Sequence, residues 1–214
     1  MTLGISWLAA FITLAVLLSY EASLAMALRR WPTCMARTAH ANLRKDWFET
    51  VSKQGALQIL AVQTLRNALM SASVTASTAA LGLMGTVTLA ASSLHAELNN
   101  SAASFAPFMP GLAMELVLLA LLVASMVRSV MAVPYYNHAG FVGGISVESD
   151  ARKHWTSKGT AYVCNSGVLF SWAFRQLVVT APVVAFMLHP FAGPVAALVV
   201  CGVVVSFDRF ETSI

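Results

Sequence analysis

Five ionisable side chains fall inside long apolar runs of this chain: Glu21, Arg66, Glu115, Arg128 and Arg175. Near the centre of a membrane-spanning helix such a group costs about 2.5–3.5 kcal/mol on insertion scales, so it needs a partner or a route to water. Around Arg66 the polarity is ordered, because Gln63, Arg66, Asn67 and Met70 recur at helical spacing and share one face. Ser171 and Arg175 share another face, with Gln176 beside them. Glu21, Arg66, Arg128 and Arg175 all lie in the third of their runs nearest the basic loops, while Glu115 lies at the opposite end. These positions predict a net-positive polar cluster of Glu21, Gln63, Arg66, Asn67, Arg128, Arg175 and Gln176, with Glu21 paired to Arg66 or Arg175. A positive cluster at one depth of a helical bundle is what an anion path or an anionic-substrate site requires. The competing reading is structural: arginines near helix ends reach the headgroups along their own stems and need no partner.

No other constellation carries chemistry. His40, His95, His138, His154 and His189 lie in loops or at the ends of runs, so a haem held between helices is not expected. HExxH, GxSxG, phosphate-loop and GxGxxG motifs are absent. Gly140, Gly143 and Gly144 read as a flexible turn. Cys34, Cys164 and Cys201 are an odd number, far apart and without a CxxC pair, which fits neither a disulfide framework nor a zinc site. The expectation is a protein that is not an enzyme, with no catalytic residues, no metal and no cofactor.

The elements that hold these residues follow from composition. Of 214 residues, 58% are hydrophobic and 10% charged, where a soluble domain carries about 25% charged. Most of the surface must therefore be apolar, and the solvent is lipid. The fold class expected is all-α, a polytopic membrane helical bundle forming one domain over residues 1–214. Its spans are placed at about 3–26, 68–91 (in a helix from 56), 111–133, 165–188 and 191–207. The first run has no basic residue before it and carries Tyr20-Glu21 where a cleavage site would need small residues, so it reads as a retained helix. The third run is expected to end at Pro134, and 148–162 reads as a short helix leading into the fourth run. The last run is barely long enough to cross, and a re-entrant hairpin competes with a fifth span. On the second run, Ala68, Ser71, Thr75, Thr78 and Gly82 form a small-residue stripe suited to close helix contact in lipid.

Charge orients the bundle. Arg29, Arg30, Arg37, Arg44, Lys45 and Lys53 follow the first run, and Arg152, Lys153 and Lys158 follow the third. The alternate connections, His95–Pro110 and His189–Pro194, contain no Lys or Arg. Positive residues favour the cytoplasmic side, so the expected topology in a plasma (inner) membrane is N-terminus outside and C-terminus inside. The formal charge of +4 is explained by these loops and by anionic lipid headgroups, not by nucleic acid. Between about 38 and 54, Leu43, Trp47, Val51 and Gln54 recur at helical spacing. That segment reads either as an amphipathic helix on the leaflet, with Trp47 and Phe48 at headgroup depth, or as a helix packed on its own protein.

The segment Ala61-Val62-Gln63-Thr64-Leu65-Arg66-Asn67-Ala68-Leu69-Met70-Ser71-Ala72-Ser73 resembles the signature that opens the second helix of a membrane family catalogued as domain of unknown function 599. The stretch from Ser171 to Phe207, with Phe174-Arg175, a central proline and the closing Asp208, is also similar to that family, and the likeness covers roughly residues 15 to 210. It implies a polytopic helical membrane protein and places Gln63, Arg66, Asn67 and Arg175 in the family pattern. It implies no activity. Two functions are therefore expected: a small channel or transporter, and a structural or accessory subunit docked on a larger membrane complex. The partners expected are the bilayer and either further copies of the chain or another membrane protein.

Overall fold

A computed structural model describes residues 3–31, 35–101 and 109–208. The expected outer-loop residues 102–108, Cys34 and the closing Arg209-Phe210-Glu211 lie outside the described residues. Among the described residues six α-helices follow one another: α1 (Leu3–Arg30), α2 (Ala36–Val51), α3 (Gln58–Ser101), α4 (Pro110–Gly144), α5 (Asp150–Leu188) and α6 (Ala192–Asp208). The 3-10 turn Gly55–Leu57 leads into α3. There is no strand among the described residues, as expected of an all-α protein in a solvent that cannot satisfy free backbone groups. By length and composition α1, α3, α4 and α5 can each cross a membrane. The apolar α6 is shorter, 17 residues, or about 25 Å of helix against a hydrocarbon core of about 30 Å.

The two central helices are α4 and α5. One apolar core joins α1, α4, α5 and α6 around Leu17, Met114, Leu122, Val183 and Phe186. A second joins α2, α3, α4 and α5 around Phe48, Leu65, Tyr136 and Val163. The α3 seam against α4 is made of small side chains: Ala61, Ala72, Thr75, Ala79, Thr86 and Ala90 are all buried. A Cβ at Gly82 would stand 3.2 Å from Leu122, so the helices approach there as closely as a glycine permits. This seam corrects the stripe read from the sequence. Thr75, Ala68 and Gly82 belong to it, whereas Ser71 and Thr78 point outward. Contact continues along the i+4 neighbours Ala72 and Ala79 instead.

Two helices are longer than their apolar runs. Instead of ending at Pro134, α4 continues to Gly144. Losing one backbone donor at a proline is tolerable when tertiary contacts hold the helix. Tyr136, Ala139 and Val142 bury their side chains in that extension. The Gln58 side-chain amide donates to the Gly144 carbonyl at 2.7 Å, satisfying an end carbonyl of α4 and tying it to the start of α3. The segment 148–162 is not a separate short helix but the first part of an unbroken α5. Its first turn is capped by Ser149, whose hydroxyl accepts from the Arg152 amide, and Asp150 follows in the first turn.

Along α2 the same logic places a helix against protein. Phe48 is fully buried and Leu43 is exposed, so the buried face is rotated from the one expected and Phe48 is not at headgroup depth. The contacts of α2 run in opposite senses along the two helices: Arg37 at its start lies on Trp172, the Ala41 carbonyl and Arg44 in its middle against Cys164 and Gly167, and Phe48 near its end against Gly159. The two helices are therefore antiparallel. Residues 37, 41, 44, 48 and 51 of α2 share one helix face, and that face carries two arginines toward the bundle.

Candidate functional site

Arg175 lies on α5 and is 9% exposed. The Ser125 hydroxyl of α4 donates to the Ala173 carbonyl at 2.8 Å, which sets the level of Arg175 against the apolar stretch of α4. Counted from Leu188, Arg175 is about 20 Å down α5, and Asp208 is about 24 Å down α6 from Ala192. Both therefore lie at a similar distance from the α5–α6 turn, which lets them meet.

Asp208 is the partner of Arg175. Its carboxylate accepts from both terminal guanidinium nitrogens, Nη1 at 2.8 Å and Nη2. Tyr20 of α1 donates its hydroxyl to the same carboxylate at 2.7 Å and accepts from Arg175 Nη1. Three helices meet at this triad. A bidentate arginine–carboxylate pair with a third hydrogen bond is the geometry that lets opposite charges remain ionised away from water.

Two further arginines approach from α2. The Arg37 guanidinium lies 4.1 Å from the centroid of the Trp172 ring, and Arg128 of α4 lies 5.5 Å from the same ring. Arg44 crosses Gly167, where an added Cβ would overlap its guanidinium carbon, so any larger residue there must displace Arg44 from this path. Trp172 offers its π-face to Arg37 in place of a carboxylate. Burial, with the like charge of Arg175 behind it, lowers the Arg37 guanidinium from the ordinary arginine range. No carboxylate among the described residues forms an ion pair with Arg37 or Arg44. Arg37 Nε and Nη2 and Arg44 Nε are buried without a hydrogen-bond partner.

These side chains border a cavity of about 380 Å³ between α2, α5 and α6. Arg37, His40, Arg44, Arg175 and Asp208 line its polar part, and Phe170, Phe174, Val178, Val203, Val204 and Phe207 its apolar part. Because Asp208 neutralises Arg175, the uncompensated charge at the wall comes from Arg37 and Arg44. Glu21 tempers it through the field it exerts on Arg37 and Arg175.

The cluster read from the sequence divides. Arg175 is buried as expected, but its carboxylate is Asp208 and not Glu21, because Asp208 returns to the level of Arg175 when α6 folds back along α5. Glu21 is half-buried on α1 next to Tyr20. Arg128 and Gln176 are half-buried near Trp172, and the Gln176 side-chain oxygen has no protein partner. Gln63, Arg66 and Asn67 do not join them: all three are exposed on the outward face of α3. There Arg66 borders a separate groove with Val62, Leu65, Tyr136 and Phe141. The helix spacing of that face was legible, but its direction was not, because the small side chains on the opposite face of α3 claimed the contact with α4. Asp208, Tyr20, Arg37 and Arg44 were not in the expected cluster. Two signals pointed to them: an acidic residue closing an apolar run, and arginines seven apart in register with Phe48.

A family model described as "Protein of unknown function, DUF599" matches residues 8–213 of this chain. No curated protein and no solved structure matches it.

Proposed function

This chain belongs to the DUF599 family, whose description carries no activity, and we propose that it is a small membrane transporter or channel for an anionic solute. The observation that supports this reading is the basic cavity between α2, α5 and α6, where two half-buried arginines keep buried guanidinium nitrogens without a hydrogen-bond partner and form no ion pair with a carboxylate among the described residues. An unpaired guanidinium in such a site is costly, and an arriving oxyanion removes that cost by making charge-assisted hydrogen bonds. In this reading the chain performs no bond chemistry. Its basic end faces the cytoplasm of a plasma (inner) membrane, with the N-terminus outside, as the distribution of Lys and Arg favours.

The test is reconstitution of the purified chain into vesicles, with charge movement recorded on a supported membrane as chloride, phosphate, acetate and phosphate esters are applied. Current with at least one anion, lost in the Arg37→Gln, Arg44→Gln double variant, is the expected result. Silence with every anion, together with co-purification of a second membrane protein at fixed stoichiometry, would overturn it. The second result would favour an accessory subunit. That reading has its own support in the outward face of α3, where Gln63, Arg66 and Asn67 are exposed and available to another membrane protein or a second copy.

A further inference from the structure

We infer that the ligand of this cavity is an amphiphile: a phosphate head held by Arg37 and Arg44, with an acyl chain leaving sideways into the lipid. The inference rests on the anion-site reading above and adds the chemical class of what is bound. Its basis is the division of the wall. Arg37, His40 and Arg44 lie together on one face of α2, while α5 and α6 contribute the paired Arg175 and Asp208 and an otherwise mainly aliphatic and aromatic wall.

The apolar part is not closed. Phe174 is 54% exposed, Val203 52% and Phe207 78%, and all three line the cavity while facing the outside of the helical assembly. In a lipid solvent an opening walled by such residues leads to hydrocarbon, and a tail passing through it never meets water. A small hydrated anion gains nothing from that wall. An acyl chain gains about fourfold in affinity for each methylene it transfers from water to such a surface.

The head is set by charge and geometry. With Arg175 committed to Asp208, Arg37 and Arg44 supply two positive charges. That matches a phosphate monoester, which carries about −1.5 to −2 at neutral pH. The planar guanidinium fork presents paired N–H groups to phosphate oxygens. The depth also fits, because the polar part of the wall lies toward the end of the bundle where α2 and the basic loops gather.

The experiment is native mass spectrometry of the full-length chain in a neutral detergent, titrated separately with palmitoyl lysophosphatidic acid, inorganic phosphate and palmitate. The expected result is retention of lysophosphatidic acid at about tenfold or more the affinity of palmitate, with no phosphate retained at the same concentration. Arg37→Gln with Arg44→Gln weakens retention about tenfold or more. Val204→Trp, which fills the apolar half and leaves both arginines in place, weakens it as well; unchanged far-ultraviolet circular dichroism shows that each variant is folded. Phosphate retained as tightly as the lipid overturns the amphiphile while leaving the anion site standing. Palmitate retained equally overturns the phosphate head. Retention indifferent to both variants places the lipid elsewhere and overturns the inference, and binding of none of the three overturns both it and the anion-site reading.

Discussion

Replacing Asp208 by Asn tests how the helices are held at the triad. The change keeps the shape of the side chain but removes its charge, leaving the buried Arg175 guanidinium with neutral acceptors alone, the Asn amide oxygen and the Tyr20 hydroxyl. The side chains of this pair are 9% and 11% exposed, so solvent screens the loss very little. Removing one member of a buried pair costs about 3–5 kcal/mol, because a buried charge is left uncompensated. At the lower figure the folded-to-unfolded ratio falls by a factor of about 150. Replacing both members by leucine restores much of that, since a well-packed apolar pair is often neutral relative to the ion pair. The assay is unfolding of purified protein in mixed micelles by increasing sodium dodecyl sulfate, followed by circular dichroism. A useful control is Lys153→Ala, which breaks an exposed pair with Asp150 and is expected to leave the midpoint unchanged. If Asp208→Asn moves the midpoint no more than this control, or if the double leucine variant is less stable than the single one, the triad does not hold α1, α5 and α6 together as described.

Three other outcomes follow from the packing. Phe48→Ala empties a fully buried site against Gly159 and Val142; it should cost about 3–5 kcal/mol, read from the same unfolding assay, and expose α2 to limited proteolysis. Gly167→Val places atoms where the Arg44 guanidinium now lies, so it should displace Arg44 and weaken oxyanion binding while the detergent midpoint moves less than for Phe48→Ala. Membrane-impermeant maleimide should label cysteines introduced at exposed Lys53 and Ser146 from one side of a sealed membrane and at exposed His189 from the other. Labelling of all three from one side would refute the helix order across the bilayer.

Periodicity and hydropathy were enough to recognise an all-α membrane protein, because a chain with this few charges must satisfy its backbone internally and present apolar side chains to lipid. The same information placed Arg175 within its apolar run, since position along a helix follows from counting residues. It also gave the Gln63, Arg66 and Asn67 face as a unit, because side chains three and four apart share a helix face whatever surrounds them. Tertiary structure alone decided which way such faces turn. The polar face of α3 looks outward because the opposite face is lined with alanine and threonine that let α4 approach. The arginines of α2 look inward because Gly159 and Gly167 open room on α5 for Phe48 and Arg44. The partner of Arg175 was hidden for the same reason. Glu21 lies inside the first apolar run and Asp208 closes the last, and only the return of α6 along α5 brings one of them within hydrogen-bond distance. Spacing along a helix sets which residues act together, but contact between helices depends on side-chain volumes facing each other across the seam, and those pairings appear only when the chain is folded.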